Sequence, residues 1–185
     1  MRRERFLAPM TALLLLLSAC GADAQTEWRS WQEELRAAPE IYFDAEIVSR
    51  TETDALTFSA RVLAAGDTVT MTLTAPETLR GLSVVTRREG RSLRIEDTDI
   101  SLTAGRGETL SPSEAGAVLI AALREGHILY TGAGADRGCA AFTGPRDETV
   151  TVRLSPEGQP VSAEIARGER TELHLSITDW SAAKE

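Results

Sequence analysis

An α+β protein built on one long, strongly twisted antiparallel sheet is what this 185-residue sequence predicts. Two observations carry that expectation. Apolar and polar residues alternate in segment after segment between Ile41 and Ile177, with turn residues between the segments. That is the pattern of short strands with one wet face. Two stretches, by contrast, repeat their apolar residues with the helical period. A sheet with one apolar face must cover it, and two helices are few for so many strands. The sheet either curls over the helices as a partial barrel or leaves a groove, and an apolar groove binds apolar matter.

The chain opens with a segment that stands apart from this pattern. Arg2, Arg3 and Arg5 precede an apolar run from Ala12 to Leu17, followed by Leu17-Ser18-Ala19-Cys20-Gly21. The run is shorter than the roughly 20 apolar residues a permanent membrane helix needs. Positive start, short apolar core and small residues read as a secretory signal that is removed. The tetrapeptide ending in Cys20 resembles the bacterial lipobox, whose cysteine receives a diacylglyceryl group before cleavage; the alternative is an ordinary signal with a chance cysteine. This predicts a lipoprotein signal peptide at 1–19, a lipidated tether at 20–25 and a single domain at 26–185. Lipid attached at Cys20, with acyl chains of the palmitate class, would hold the protein to the extracytoplasmic face of a cell membrane, since two or more chains anchor durably.

The first helix spans Thr26 to Ala38. Trp28, Trp31 and Leu35 share one face, Thr26 can cap it and Pro39 stops it. Strands follow. Phe43, Ala45 and Ile47 form one apolar row; Leu56, Phe58, Ala60 and Val62 form the next; Val69, Met71 and Leu73 alternate with threonines. Ala64-Ala65-Gly66-Asp67 closes a hairpin, and Pro76 ends its second strand. Leu82–Arg87, Ser92–Glu96 and the pair Ile100 and Leu102 continue the meander, and Gly105–Gly107 is a loop.

The second helix carries the strongest local signal. Ser111-Pro112-Ser113-Glu114 combines a capping box with proline in the first turn. Ala115, Val118, Leu119, Ala122 and Leu123 make its apolar stripe, and Gly126 supplies the stop. Ile128–Tyr130 is a short strand and Gly132–Gly138 is loose. Val150, Val152 and Leu154, then Val161, Ala163 and Ile165, then Leu173, Leu175 and Ile177 complete the sheet. Glu172, His174, Ser176 and Thr178 take the wet face of the last strand, and the carboxylates as a whole scatter along polar faces.

The formal charge is −8, and loss of the signal with its three arginines and one glutamate takes it to −10. An acidic surface argues against nucleic acid and against electrostatic docking on anionic lipid. Of two cysteines, Cys20 is assigned to lipid, so Cys139 has no partner in the chain and reads as a small buried hydrophobe. His127 and His174 lack neighbours at metal-ligand spacing. No Gly-x-Ser-x-Gly motif is present, and Gly132-Ala133-Gly134-Ala135-Asp136 lacks the strand–turn–helix context of a phosphate loop. The sequence therefore predicts no enzyme, no cofactor and no metal.

Candidates for a concave binding face are Phe43, Ile47, Phe58, Val62, Met71, Leu73, Leu93 and Ile95, with Leu119 and Leu123 from the helix above. The plain alternative for each is core packing. The run Val69–Leu73, the segment Thr74-Ala75-Pro76-Glu77-Thr78-Leu79-Arg80-Gly81-Leu82 and the strands through Ile95 resemble the LolA/LolB-like lipoprotein-carrier superfamily. So does the N-terminal helix before a meander with an inserted helix. The closer likeness is to uncharacterised lipoproteins of that type from Gram-positive anaerobes, over about Trp28 to Trp180. The resemblance implies an unclosed half-barrel with helices as a lid over an apolar groove, and members that bind lipid chains, carry lipoproteins, or act as sensors and partners at the membrane. No segment matches a lipoprotein-handling loop, and an anchored chain suits reception or local holding rather than shuttling. The expected function is a membrane-anchored lipoprotein that binds an acyl chain, lipid, lipoprotein or other amphiphile. The alternative is a non-enzymatic regulatory or structural domain that docks on another cell-envelope protein through open strand edges.

Overall fold

The computed structural model describes residues 25–50, 54–95, 98–102, 110–132 and 138–183. The signal segment, Cys20, the loop at Gly105–Gly107 and most of Gly132–Gly138 lie outside the described residues. Helix α1 covers residues 25–37. Six strands follow as a meander: β1 (Glu40–Arg50), β2 (Ala55–Ala65), β3 (Thr68–Ala75), β4 (Ser83–Arg87), β5 (Gly90–Ile95) and β6 (Thr98–Leu102). Helix α2 (Ala115–Glu125) leads to a second meander of β7 (Ile128–Gly132), β8 (Cys139–Thr143), β9 (Thr149–Leu154), β10 (Pro160–Arg167) and β11 (Arg170–Ala182).

All eleven described strands lie in one open antiparallel sheet, ordered β6-β5-β4-β3-β2-β1-β11-β10-β9-β8-β7. The α+β class and the unclosed sheet are as the sequence predicts. The two meanders meet at a central seam, where β1 pairs with β11 from Ser49↔Leu173 to Ile41↔Ala182. The rims are β6 and β7, and α2 lies on the connection between them. The chain that joins the two rims carries α2 across the apolar face of the sheet, where it packs against β3, β8 and β10.

Local chemistry explains why α2 forms and stops where it does. Glu114 Oε2 accepts from Ser111 N at 3.1 Å, and Ser111 Oγ accepts from Ser113 N at 3.3 Å. This capping box closes a 3₁₀ turn, Pro112–Glu114, ahead of the helix. The predicted stripe is buried throughout. Gly116 lets the helix approach the sheet closely, because a Cβ there would stand 3.0 Å from Val62 Cγ2. Gly126 stops the helix for a different reason from the expected left-handed cap. Its φ is −64°, and a Cβ would collide with the carbonyls of Thr143 and Ala122.

Two bulges move side chains off their expected faces. Val161 is the extra residue between Pro160↔Leu154 and Ser162↔Arg153, so Pro160 turns inward and Val161 points to solvent instead of joining Ala163 and Ile165. Glu172 is the extra residue between Ala166↔Thr171 and Ile165↔Leu173. It is buried rather than wet, and accepts a hydrogen bond from Leu110 N. Cys139 is half-buried at the start of β8, not in the core.

Helix α1 covers the second meander. Trp28 meets Phe142 edge-on with ring centroids 5.9 Å apart, and Trp31 meets Trp28 at 5.3 Å. The C-terminal ends of the two helices are tied together. Gln32 Nε2 donates to Gly126 O at 2.8 Å and Arg36 Nε to Arg124 O at 2.9 Å. Arg124 in turn donates to the carbonyls of Leu35, Ala38 and Gly66, which fastens both helices to the β2–β3 turn.

Candidate functional site

The helices shield the two halves of the sheet unequally. Cross-strand register defines continuous rows of side chains on the covered face. On the second meander one row runs Ile47, Leu175, Ala163, Val152 and Ala140, all buried, and ends on the half-buried, polar Thr131 of the rim strand β7. On the first meander the matching row runs Phe43, Val62, Met71, Val84, Leu93 and Ile100. Its exposure rises from 0% at Phe43 and Val62 through 2% at Met71 and 4% at Val84 to 48% at Ile100, with Leu93 intermediate. Among the described residues, the cover runs out before the sheet does.

The β5–β6 hairpin therefore carries an apolar face that nothing among the described residues closes. Leu93, Ile95, Ile100 and Leu102 sit on the core side of the sheet, paired as Leu93↔Ile100 and Arg91↔Leu102. The opposite side carries Ser92, Arg94, Asp99 and Ser101. Arg94 Nε and Nη2 donate to the two Asp99 carboxylate oxygens at 2.8 and 3.0 Å. That hydrogen bonding holds the Asp99 carboxyl below its ordinary pKa. An amphipathic hairpin with its greasy side left open is an unusual use of four large apolar residues, since aliphatic side chains of this kind are usually buried.

Next to this face lies a cleft of about 960 Å³. Its floor includes Val69, Leu102, Val118 and Ile120, and its walls are the ends of both helices, the β4–β5 turn and the loop at Pro145 and Arg146. Two smaller cavities flank α1. One, of about 230 Å³, lies beside Trp31 and Trp180; the other, of about 320 Å³, lies beside Trp28 and Leu154. Small-molecule sites usually occupy about 300–1,000 Å³, a range that holds the large cleft and, at its lower end, the cavity beside Trp28. Leu102 and Arg91 belong to both the cleft and the hairpin face, so the two surfaces are continuous.

Buried carboxylates fix the back wall of the cleft, in contrast to the scatter along wet faces that the sequence suggests. Glu114 Oε1 receives Arg91 and Arg146, each at 2.7 Å. Glu148, with a fully buried side chain, accepts from Arg146 N at 2.7 Å and pairs with Arg167 at 3.1 Å and Arg146 at 3.4 Å. The chain Arg91–Glu114–Arg146–Glu148–Arg167 joins β5, the start of α2, the β8–β9 loop and β10. Its members are far apart in sequence, and only Glu114 has a local signal, the capping box.

The predicted groove residues divide into two groups. Phe43, Ile47, Val62, Met71, Leu119 and Leu123 are closed inside the core, because α1 and α2 press directly on the centre of the sheet. They form no open wall. Phe58 and Leu73 are half-buried against that core. Leu93 is half-buried and Ile95 is 41% exposed, both on the uncovered hairpin face. His174 Nδ1 lies 3.6 Å from Glu164 on the solvent side of the sheet, and His127 is exposed. Among the described residues no three His, Cys, Asp or Glu side chains gather as a metal set. No described helix is long and apolar enough to cross a membrane.

No family model matches the sequence, and no curated protein matches it. Solved structures to which the chain is similar include a LolA superfamily protein from Nitrosomonas europaea, at 11% identity and TM-score 0.46, covering 85% of this chain and 94% of that one. A putative outer membrane lipoprotein-sorting protein domain from Vibrio parahaemolyticus is similar at 10% identity and TM-score 0.46, covering 89% and 92%. The lipoprotein LppX from Mycobacterium tuberculosis is similar at 14% identity and TM-score 0.43, covering 89% and 98%. These likenesses concern chain layout alone.

Proposed function

We propose that this chain is a lipid-anchored cell-envelope protein, not an enzyme, that holds an acyl chain or another amphiphile on the uncovered face of the β5–β6 hairpin and in the adjoining cleft. The observation that carries this reading is the row from Phe43 to Ile100, which leaves the shelter of the helices while remaining apolar. Covering such a face with an acyl chain removes hydrocarbon from water on both sides of the contact, at about 25 cal/mol per Å². The cleft supplies room for the more polar end of the same molecule.

The test uses the chain from Gly21 onward, which keeps every described element. It should take up a fluorescent long-chain fatty acid saturably, and native mass spectrometry should find lipid co-purifying with it. The double substitution Ile95→Asp and Ile100→Asp should weaken uptake by about a hundredfold or more, because it removes two apolar contacts of roughly 1.5–3 kcal/mol each. The two side chains are already 41% and 48% exposed, so the fold should be retained. A parent chain that stays free of lipid and ignores the probe ends the amphiphile reading.

The anchor is a separate part of the proposal. In cells, the full-length protein should label with radioactive palmitate and partition with membranes. Cys20→Ala should lose both the label and the membrane fraction. Unchanged membrane partition of Cys20→Ala removes the lipid at Cys20.

A further inference from the structure

The large cleft has a charge opposite to that of the protein. Arg36, Arg87, Arg88, Arg91, Arg124 and Arg146 line it, against Asp67, Glu89, Glu114 and Glu125. The chain as a whole carries 20 basic and 28 acidic residues. A cleft with an arginine surplus on an acidic protein is a local reversal of field.

How those charges are used matters more than their number. Two guanidinium groups, Arg91 and Arg146, converge on the single Glu114 Oε1. Arg124 donates to carbonyl oxygens of Leu35, Ala38 and Gly66 rather than to a carboxylate. Its partial burial pulls its pKa below the ordinary arginine value, while the charges of Asp67 and Glu125 act in the opposite direction. Arg88 is only loosely paired with Asp67, at 3.5 Å between two well-exposed side chains. Arginine is the side chain best shaped for carboxylate and phosphate oxygens.

The apolar face begins where this basic lining ends. Arg91 and Leu102 are cross-strand partners, and one step further along the same strands Leu93 faces Ile100. Resting on the amphiphile reading above, we infer that the cleft selects amphiphiles with an anionic head group, a carboxylate or a phosphate ester. The head meets the arginines of the cleft and the chain runs from Leu102 over Leu93 and Ile100 to Ile95. A cationic head on the same chain gains the apolar contact without the electrostatic one, and a zwitterionic head gains only a weakened one, because its ammonium offsets its phosphate.

The test compares lysophosphatidylglycerol with lysophosphatidylcholine of the same acyl chain, below their micelle concentrations, on the chain from Gly21 onward. A fatty acid of that length separates carboxylate from phosphate heads, and inorganic phosphate serves as the chainless control. The anionic lysolipid should bind about tenfold more tightly, in line with the small value of each exposed charge contact and the sum over several. Added salt should narrow the gap. Arg87→Glu with Arg88→Glu, two exposed positions, should abolish the preference by weakening lysophosphatidylglycerol far more than lysophosphatidylcholine. Equal binding of the two lysolipids overturns the head-group assignment while the amphiphile reading stands. Phosphate alone binding as tightly as the lysolipid also overturns it, by making the chain irrelevant. Failure of every lipid, charged or not, is the failure of the amphiphile reading itself.

Discussion

Replacing Glu148 by glutamine is expected to lower stability by about 3–5 kcal/mol, the cost of breaking a buried ion pair from one side. The side chain is fully buried and its oxygens serve Arg146 N and the guanidinium groups of Arg146 and Arg167. Glutamine keeps the shape but presents an NH₂ where a donor already points, and it leaves the arginines without their negative charge. For a chain of this size about 2–4 °C of melting temperature accompanies each kcal/mol, so thermal unfolding should move down by roughly 6–20 °C. Glu164→Gln, which touches only the loose His174 contact, is the control and should shift little. A Glu148→Gln protein that melts with the parent would show that the arginines find water or other acceptors without penalty.

Phe142→Ala is expected to cost a similar amount, about 3–5 kcal/mol, by a different mechanism. Phe142 is fully buried, sits between Ile128 on β7 and Val150 on β9, and carries the edge-on contact with Trp28. Its removal opens a cavity and takes away the surface on which α1 rests. Denaturant unfolding should report the loss, and quenching of tryptophan fluorescence by acrylamide should increase as Trp28 loosens. A stability loss with unchanged quenching would separate the cavity from the docking of α1.

Local rules made much of this fold readable. Ser111, Pro112 and Glu114 marked the start of α2, and strict alternation put Phe43, Val62, Met71, Leu173 and Leu175 on one face. What periodicity cannot supply is coverage. It identified the face to which Met71 and Ile95 both belong, but whether a residue on that face is core or open depends on where α2 crosses, which is set by the joining of two rims distant in sequence. Hence Phe43 and Leu123 are sealed while Leu93 and Ile95 are not. Bulges are similarly invisible, because one extra residue leaves the composition of a strand unchanged and turns Val161 out and Glu172 in. The Glu114 and Glu148 network escaped for the same reason as the cleft: Arg91, Arg146 and Arg167 reach these carboxylates only after the meanders have folded back.

The strand order also bears on how the chain assembles. Of the ten ladders between neighbouring described strands, nine join strands consecutive in sequence, and only β1 with β11 brings together opposite ends of the chain. Hairpins close cheaply, whereas a contact between distant segments must first overcome a larger loop entropy. Each meander can thus zip up on its own, and the seam is the step that turns two separate ribbons into one molecule. Because Phe43, Ile47, Leu173 and Leu175 line that seam on the side the helices cover, burial of the deepest core waits for it.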